Sequence, residues 1–340
     1  MAIDLNLTRA EQASRQFAVG KVAEVVEFTF KGNINQDAYL VSADGKRYLL
    51  QRLNTDVFTR PERVTAALKT WTNAQTVGLE GAHWAGPYEA LRLVPTHSNE
   101  PTWDSEGQVW RLLPFIEGTI SYKSLADAGD RTKQLELAEE TGRGMGISTR
   151  LVSHLESGEL RPSLLGYRDT SGYLAQFDAV VGGAVNLEQA SAHLPGDAEL
   201  ADATSNLFFL SHSPAELEAR SNDLQVKRLI DLVQAHRDWA VGMQKAVQEG
   251  KLRRTVIHGD TKIENFLFCN QTGRVKSVVD LDTVMSYTWL ADWGDLARSL
   301  VNVAGEKETD LDKVRVDEEV YEALTRGFLS IEGVAPAEET

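Results

Sequence analysis

Polar side chains cluster within residues 258–282, and their types suit the transfer of a phosphoryl group. Asp260 is a carboxylate that can accept a proton from a hydroxyl group. Asn265, five residues later, and Asp280 on the following strand offer the oxygen ligands that Mg²⁺ takes when a nucleotide carries it. Lys262 can reach a transferred phosphate as a point charge. The spacing favours a catalytic set over isolated turn and capping residues.

The same segment predicts the local structure that holds these groups. Two apolar stretches, Phe266–Phe268 and Val275–Val279, flank a turn at Asn270–Gly273 and predict a β-hairpin with the polar groups at its ends. His258 is interpreted as a residue that bonds the backbone and fixes the loop rather than as a proton carrier or a metal ligand. Asp282 is either a second Mg²⁺ ligand or a structural acceptor.

The chain before this segment begins with a pattern of strands. Runs rich in Val, Phe, Tyr and Leu predict strands at residues 22–31, 38–42, 46–53, 88–94 and 108–113. Ala43-Asp44-Gly45 predicts a tight turn between the second and the third of them. A short helix is predicted at residues 8–17, and Pro61 is expected to open another that ends near Thr76. The order of three strands, a helix and two strands argues against a doubly wound sheet, which needs alternating strands and helices.

The pattern changes after Gly118. Long helical periodicities follow at residues 124–148, 169–192, 198–210, 214–248 and 315–332. We therefore predict two lobes, one with a sheet and a helix over residues 1–117 and a mainly helical one over residues 118–340. The candidate catalytic and metal-binding segment, residues 258–282, lies in the second lobe.

Composition narrows the class of protein. The 340 residues carry a formal charge of −15, which disfavours nucleic acid and anionic lipid as partners. No run of apolar residues is long enough for a membrane span, and the start lacks a secretory signal. A single cysteine, Cys269, favours a reducing compartment, so a cytoplasmic location is expected. The acidic excess lies mostly after residue 117 and is either a solvated surface or an attraction for a cationic substrate.

The segment His258–Asn265 resembles the catalytic loop of protein kinases. Its glycine after the histidine, together with Val278–Asp282, is more similar to the aminoglycoside phosphotransferase and choline kinase superfamily. The resemblance implies an α+β, bilobal, protein-kinase-like fold with a five-stranded antiparallel amino-terminal lobe and a mainly helical carboxy-terminal lobe. It implies ATP as co-substrate, Mg²⁺ as cofactor and Asp260 as the base. It assigns nucleotide binding to the first lobe and the acceptor pocket to the second. It also implies that an aspartate of the segment Asp292–Arg298 supports the catalytic loop, and Asp295 is preferred over Asp292. Arg298 is expected to pair with a nearby carboxylate.

Within the superfamily, several segments resemble the N-acetylhexosamine 1-kinases, which phosphorylate the anomeric hydroxyl of N-acetylglucosamine or N-acetylgalactosamine. They are Gly32–Asn35, Tyr48–Asn54, Val57–Phe58, His258–Lys262 and Val279–Met285. The resemblance thus implies an ATP-dependent sugar kinase. A protein kinase is disfavoured because no Asp-Phe-Gly to Ala-Pro-Glu stretch is present.

The resemblance also assigns the nucleotide site. The third strand usually supplies a cation to the phosphates, and here only Gln51 or Arg52 is in register, so the charged Arg52 is chosen. Backbone amides of the first loop are expected to grip the phosphates, and the hinge after the fifth strand is expected to bond adenine. The residues are Gly32, Asn33 and Asn35 for the loop, and the Pro114 carbonyl and the Ile116 amide for the hinge.

The acceptor side is assigned more loosely. Candidate substrate residues are Arg168, Asp169, Tyr173 and Trp289, the last as a ring that stacks on a sugar. Two alternatives stay open. One is a kinase of a cationic acceptor such as an amino sugar, an aminoglycoside or an amino alcohol. The other is a catalytically silent nucleotide-binding module.

Overall fold

The computed structural model describes residues 5–29, 34–35, 37–156, 158, 160–164, 166–186, 189, 213–305 and 308–334. The chain divides into two units, the first formed by residues 1–163 with 255–340 and the second by residues 164–254. The lobe boundary near Gly118 stays a prediction. Three predicted features lie outside the described residues: the site residues Gly32 and Asn33, and the helix at residues 198–210.

An antiparallel five-stranded sheet forms the amino-terminal part of the first unit and confirms the predicted architecture. Its strands are β1 (Val22–Glu27), β2 (Ala38–Ala43), β3 (Lys46–Arg52), β4 (Trp103–Ser105) and β5 (Gln108–Pro114). Their order across the sheet is β1-β2-β3-β5-β4. Asp44 and Gly45, both with positive φ, form the tight turn between β2 and β3 that the sequence predicts.

One predicted strand is wrong. Residues 88–94 form no strand, and the sheet is completed instead by the short β4, which a two-residue turn at residues 106–107 joins to β5. The buried positions of the segment are Tyr88, Leu91 and Val94. Burial therefore recurs at every third residue, whereas a strand alternates at every second one.

Helices cover both faces of this sheet. The first, α1 (Leu5–Ser14), lies against the face that carries Leu50 and Leu112. The second, α2 (Pro61–Gly78), begins at a proline as predicted, because the missing amide hydrogen of proline costs nothing in the first turn. Its Leu68 and Trp71 pack in the same cluster as Leu113. A short strand β6 (Thr119–Ile120) and the long helix α3 (Arg131–Leu151) follow.

The second unit is helical, as the sequence pattern predicts. Asp169 and Ser213 cap two of its helices by accepting backbone amides of the first turn. An ion pair between Arg237 and Asp178, 2.7 Å long, joins two segments within the unit. The helices are α4 (Thr170–Val181), α5 (Pro214–Asn222), α6 (Leu224–Ala235), α7 (Arg237–Ala240) and α8 (Gly242–Gln248).

The chain then returns to the first unit. Its elements here are β7 (Thr255–Ile257), β8 (Phe266–Cys269), β9 (Val275–Val278), β10 (Met285–Tyr287), α9 (Trp289–Val301) and α10 (Glu318–Leu329). The predicted hairpin is confirmed, because β8 and β9 pair antiparallel. The short β6 lies on the other side of β8, and β7 pairs with β10.

Close contact between α3 and α10 anchors this region. A Cβ atom on Gly142 would overlap the carbonyl oxygen of Leu324, and one on Gly327 would overlap that of Glu139. Glycine at both positions lets the two backbones approach, and the hairpin and α9 share the resulting core. In the described part of the chain, every helix is too short or too polar to cross a membrane.

Candidate active site

The catalytic loop lies between β7 and β8 and is fixed by one carboxylate. Asp292, in the first turn of α9, accepts the backbone amides of His258 at 2.7 Å and Gly259 at 2.8 Å. Its own carbonyl accepts the Thr261 hydroxyl at 2.6 Å. The Asp292 side chain is buried, so these bonds compensate the loss of its hydration. The bonds therefore fix the backbone of the two residues that precede Asp260.

His258 and Gly259 join this loop to the segment that carries Asp280. The His258 Nε2 lies 2.9 Å from the carbonyl oxygen of Val279, which can only accept, so Nε2 carries the hydrogen. The Thr283 hydroxyl donates to the His258 carbonyl at 3.0 Å. Gly259 has a φ of 89°, and a Cβ there would overlap the Thr283 carbonyl oxygen. His258 thus makes the backbone contact expected for it, and glycine is required beside it.

Asp260 and Lys262 form an accessible pair on the loop. Lys262 Nζ donates to Asp260 Oδ2 at 2.9 Å, and about a third of each side chain is exposed, 31% and 34% respectively. Burial lowers the pKa of Lys262, but the bond to Asp260 and the carboxylates of Asp280 and Glu264 outweigh it, so this pKa is raised overall. The pair combines an acceptor for a hydroxyl proton with a fixed positive charge.

Asn265 and Asp280 offer oxygen atoms beside this pair. Asn265 Nδ2 donates to the Asp260 carbonyl at 2.7 Å, so its Oδ1 is the atom that can ligate a cation. The amide of Val279 donates to the Asn265 carbonyl at 2.8 Å, which brings Asp280 next to the loop. The pKa of Asp280 is raised, first because nearby protein atoms displace water from its carboxylate and second because the carboxylate of Asp282 is close. Part of the Asp280 side chain is still exposed to solvent. An amide oxygen and a crowded carboxylate fit Mg²⁺ that also binds phosphates.

Asp282 lies deeper, and the structure favours its role as a structural acceptor over its role as a metal ligand. Both oxygens are bonded to Arg111 of β5, and Oδ2 also accepts Asn35 Nδ2 at 2.6 Å. The Ser163 hydroxyl donates to the Asp282 carbonyl. The side chain is buried, so these donors replace water around the carboxylate.

Arg52 does not reach this segment. It pairs across the sheet with Trp110, whose side chain belongs to the core on the α1 face, and its guanidinium binds Asp37. Strand alternation therefore turns Arg52 away from the face where Gln51 and its partner Arg111 lie. The choice of Arg52 as a phosphate ligand is corrected: the positive charge next to the third strand on this face is Arg111.

Three other residues predicted to bind the nucleotide, Asn35, Pro114 and Ile116, lie within the described part of the chain. Asn35 is buried and holds Asp282, and its Oδ1 accepts the Asn54 amide at 2.9 Å. Pro114 ends β5, and Ile116, two residues later, is buried. Their bonds to adenine stay a prediction.

Two predicted roles in α9 are wrong. Asp295 was predicted to support the catalytic loop, but the carboxylate that accepts the loop amides is that of Asp292, in the first turn of α9. Asp295 pairs with Arg298 at 3.6 Å, which gives Arg298 the carboxylate partner expected for it. Trp289 is 5% exposed and stacks on Phe328 in the core, so it does not offer a face to a sugar.

The other acceptor candidates belong to the second unit and make contacts within it. Asp169 caps α4 and accepts Gln244 Nε2 at 2.8 Å. Tyr173 Oη accepts the amide of Arg168 at 3.0 Å. Arg168 has a φ of 64° and lies 5.1 Å from the ring centre of Tyr167. These contacts shape the start of α4, and a role in acceptor binding stays a prediction.

Two residues of the site were not chosen from the sequence, although each left a signal. Arg111 is a charge within the apolar run of β5, and a charge in a buried strand requires a partner. Asp292 stands four residues after the threonine that precedes α9, within the first turn, where the helix dipole favours acidic side chains.

Comparison with known proteins identifies a family and a shared fold. The model of the phosphotransferase enzyme family matches residues 29–329. The structure of the microcompartment-associated aminopropanol kinase shares the fold, with a TM-score of 0.54, 13% identity and coverage of 98% of this chain and 82% of that one. An aminoglycoside phosphotransferase from Alicyclobacillus acidocaldarius has a TM-score of 0.48 and 14% identity, with coverage of 95% of this chain and 77% of that one. Choline kinase LicA from Streptococcus pneumoniae has a TM-score of 0.39 and 15% identity, with coverage of 92% of this chain and 85% of that one.

We expect Asp292→Asn to lower the free energy of unfolding by about 1–3 kcal/mol, because one of the two loop amides loses its acceptor. Asp295→Asn is the matched control on the same helix and should change it by less than about 1 kcal/mol, since the Asp295–Arg298 pair is long and partly exposed. Urea unfolding of both variants measures the difference. Equal losses, or a larger loss for Asp295→Asn, would contradict the assignment of the supporting carboxylate.

Proposed function

This chain belongs to the phosphotransferase enzyme family, and we propose that it phosphorylates a sugar hydroxyl, with the anomeric hydroxyl of an N-acetylhexosamine as the first candidate. At the level of the family it is an ATP-dependent phosphotransferase of small molecules. The observation that carries the chemistry is the accessible Asp260 carboxylate, 2.9 Å from Lys262 on a loop that Asp292 fixes.

In this proposal Asp260 orients the acceptor hydroxyl and takes its proton while the oxygen attacks the γ-phosphorus of ATP. A bond forms between the acceptor oxygen and phosphorus, the bond from phosphorus to the β,γ-bridging oxygen breaks, and ADP leaves with those electrons. Lys262 balances negative charge on the phosphoryl group as it passes. Because the loop is already fixed, most of the rate enhancement comes from positioning and electrostatics.

Asn265 Oδ1 and the Asp280 carboxylate would hold the magnesium ion that accompanies ATP. That ion supplies positive charge to the phosphate oxygens and helps to orient the chain of phosphates. The carbonyl of Pro114 and the amide of Ile116 are assigned to adenine. Asp282 is left out of the ligand set, because its oxygens already bind Arg111 and Asn35.

The sugar acceptor is supported by sequence alone. His258–Lys262 and Val279–Met285 resemble the corresponding segments of the N-acetylhexosamine 1-kinases, and the first loop and third strand add weaker likeness. The structure adds that Trp289 takes no part in stacking on the sugar, so the acceptor must be held by other groups.

A cationic acceptor is the second candidate, and the charge of the chain favours it. Of the 50 acidic and 35 basic residues, 36 acidic and 23 basic ones follow residue 117. Such an excess attracts amines and weakens with salt, because mobile ions screen exposed charges. A Michaelis constant that rises with ionic strength would distinguish this acceptor class from a neutral sugar.

We expect Mg²⁺-dependent ATP consumption with N-acetylglucosamine or N-acetylgalactosamine, and phosphorus NMR of the product should show a glycosyl phosphate with loss of the reducing end. Glucose, galactose and glucosamine complete the sugars of the panel, and choline, homoserine and kanamycin represent other acceptors. Turnover confined to acceptors with an amine would replace the neutral sugar by the second candidate. ATP that stabilises the fold but is not consumed with any acceptor would support a silent nucleotide-binding module.

We also expect Mg²⁺ to tighten ADP binding to the wild type and to have much less effect on Asp280→Asn. The loss should be at least about ten-fold, the scale seen when the surroundings of a metal are disturbed. Calorimetric titration with and without Mg²⁺ measures it. Glu264→Gln, an exposed carboxylate of the same loop, is the control and should retain the wild-type response. A full magnesium effect in Asp280→Asn would remove this residue from the ligand set.

A further inference from the structure

The turn after β9, residues 280–284, has a backbone that its surroundings must enforce. Asp280 has a φ of 65° and a ψ of 54°, the left-handed region that a residue with a Cβ atom rarely adopts. Leu281 and Val284 anchor the turn, because both side chains are buried in the apolar cluster that contains Trp71. Such a conformation persists where neighbouring groups over-determine it, often at functional sites.

One of these constraints is an ion pair between the turn and the amino-terminal sheet. Arg111 Nη2 donates to Asp282 Oδ2 at 3.0 Å, and its Nη1 donates to Oδ1. Arg111 Nε and Nη2 also donate to Gln51 Oε1 at 3.1 and 2.9 Å. Only 3% of the Arg111 side chain and 4% of the Asp282 side chain are exposed. Arg111 is therefore occupied by protein groups and is not placed to bind phosphate itself.

The sheet register brings this arginine to the turn. Arg111 and Gln51 are direct partners on neighbouring antiparallel strands, so both side chains lie on one face. Leu112, the next residue of β5, lies in the core on the opposite face, whereas Leu113 packs in the cluster that includes Leu281 of the turn. A shift of one residue in this register would exchange the two faces and leave Asp282 without its partner.

Asn35 ties the same carboxylate to a third part of the chain. Its Nδ2 donates to Asp282 Oδ2 at 2.6 Å, while its Oδ1 accepts the amide of Asn54, just after β3, at 2.9 Å. A buried ion pair adds little net stability over an apolar pair of similar size, because both charges lose their hydration. Its value here is geometric, since the planar guanidinium fixes the orientation of the carboxylate.

We infer that Arg111 is a positioning residue that acts through Asp282 to set the backbone and the carboxylate of Asp280 for the nucleotide-bound magnesium ion. The inference rests on the proposed function, in which Asp280 is a magnesium ligand. It also explains how the sheet that is assigned to the nucleotide is linked to the metal side of the site.

The test separates positioning from stability. Arg111→Met and Asp282→Leu each leave one buried charge without its partner, so both should unfold at lower temperature and lose the magnesium effect on ADP binding. The double variant Arg111→Met/Asp282→Leu removes both charges and should regain most of the stability. Its magnesium effect should stay about 10- to 100-fold below the wild type, because the turn is no longer oriented. Arg131→Met, which breaks an exposed pair with Asp317, is the control and should leave that effect unchanged.

Recovery of the magnesium effect together with stability in the double variant would overturn the positioning role. If the double variant does not fold, Arg111→Lys keeps the charge without the two-pronged geometry. A weakened magnesium effect at near wild-type stability then supports the inference, and an unchanged effect overturns it. A wild type that binds no ADP overturns the proposed function and this inference together. A wild-type magnesium effect that survives in every variant overturns the inference alone.

Discussion

The buried carboxylate of Asp292 is the fixed point on which the candidate active site depends. It accepts two successive backbone amides of the catalytic loop and is itself held in the first turn of α9, where the helix dipole favours a negative charge. An unpaired charge at this depth would be very costly, so the loop and the helix must fold against each other. This packing requires glycine at position 259, because the loop backbone there lies so close to the Thr283 carbonyl that a side chain would overlap it.

The site contains four aspartate side chains, and their different degrees of burial give them different roles. Asp292 and Asp282 are buried and saturated by donors, backbone amides in one case and a guanidinium and a carboxamide in the other. Asp260 and Asp280 remain accessible. The buried pair fixes the backbone on which the accessible pair stands, so structure and catalysis are assigned to different carboxylates of a single segment. This division is what a site that works by positioning requires.

Local features of the sequence predicted much of this arrangement. The hairpin of β8 and β9, the glycine turn between β2 and β3 and the start of α2 at Pro61 are each set within a few residues, and each was found. The partners of Asp282 were not predicted, because they are distant in the sequence: Arg111 lies 171 residues away and Asn35 lies 247 residues away. The same limit applied to Arg52 and Gln51: alternation puts them on opposite faces, but only the tertiary structure shows which face meets the turn. Asp295 was chosen over Asp292 because the start of α9 was not fixed by a strong cap in the sequence.

The most direct test of the account is the turnover of Asp260→Asn, measured beside its affinity for ADP in the presence of Mg²⁺ and with the acceptor that the wild type uses. Asparagine keeps the shape of the side chain but cannot take the hydroxyl proton. The account predicts that the rate falls by at least about 100-fold, the usual contribution of a general base, while ADP binding is retained. Turnover close to that of the wild type would contradict the assignment of Asp260 as the base and with it the proposed mechanism.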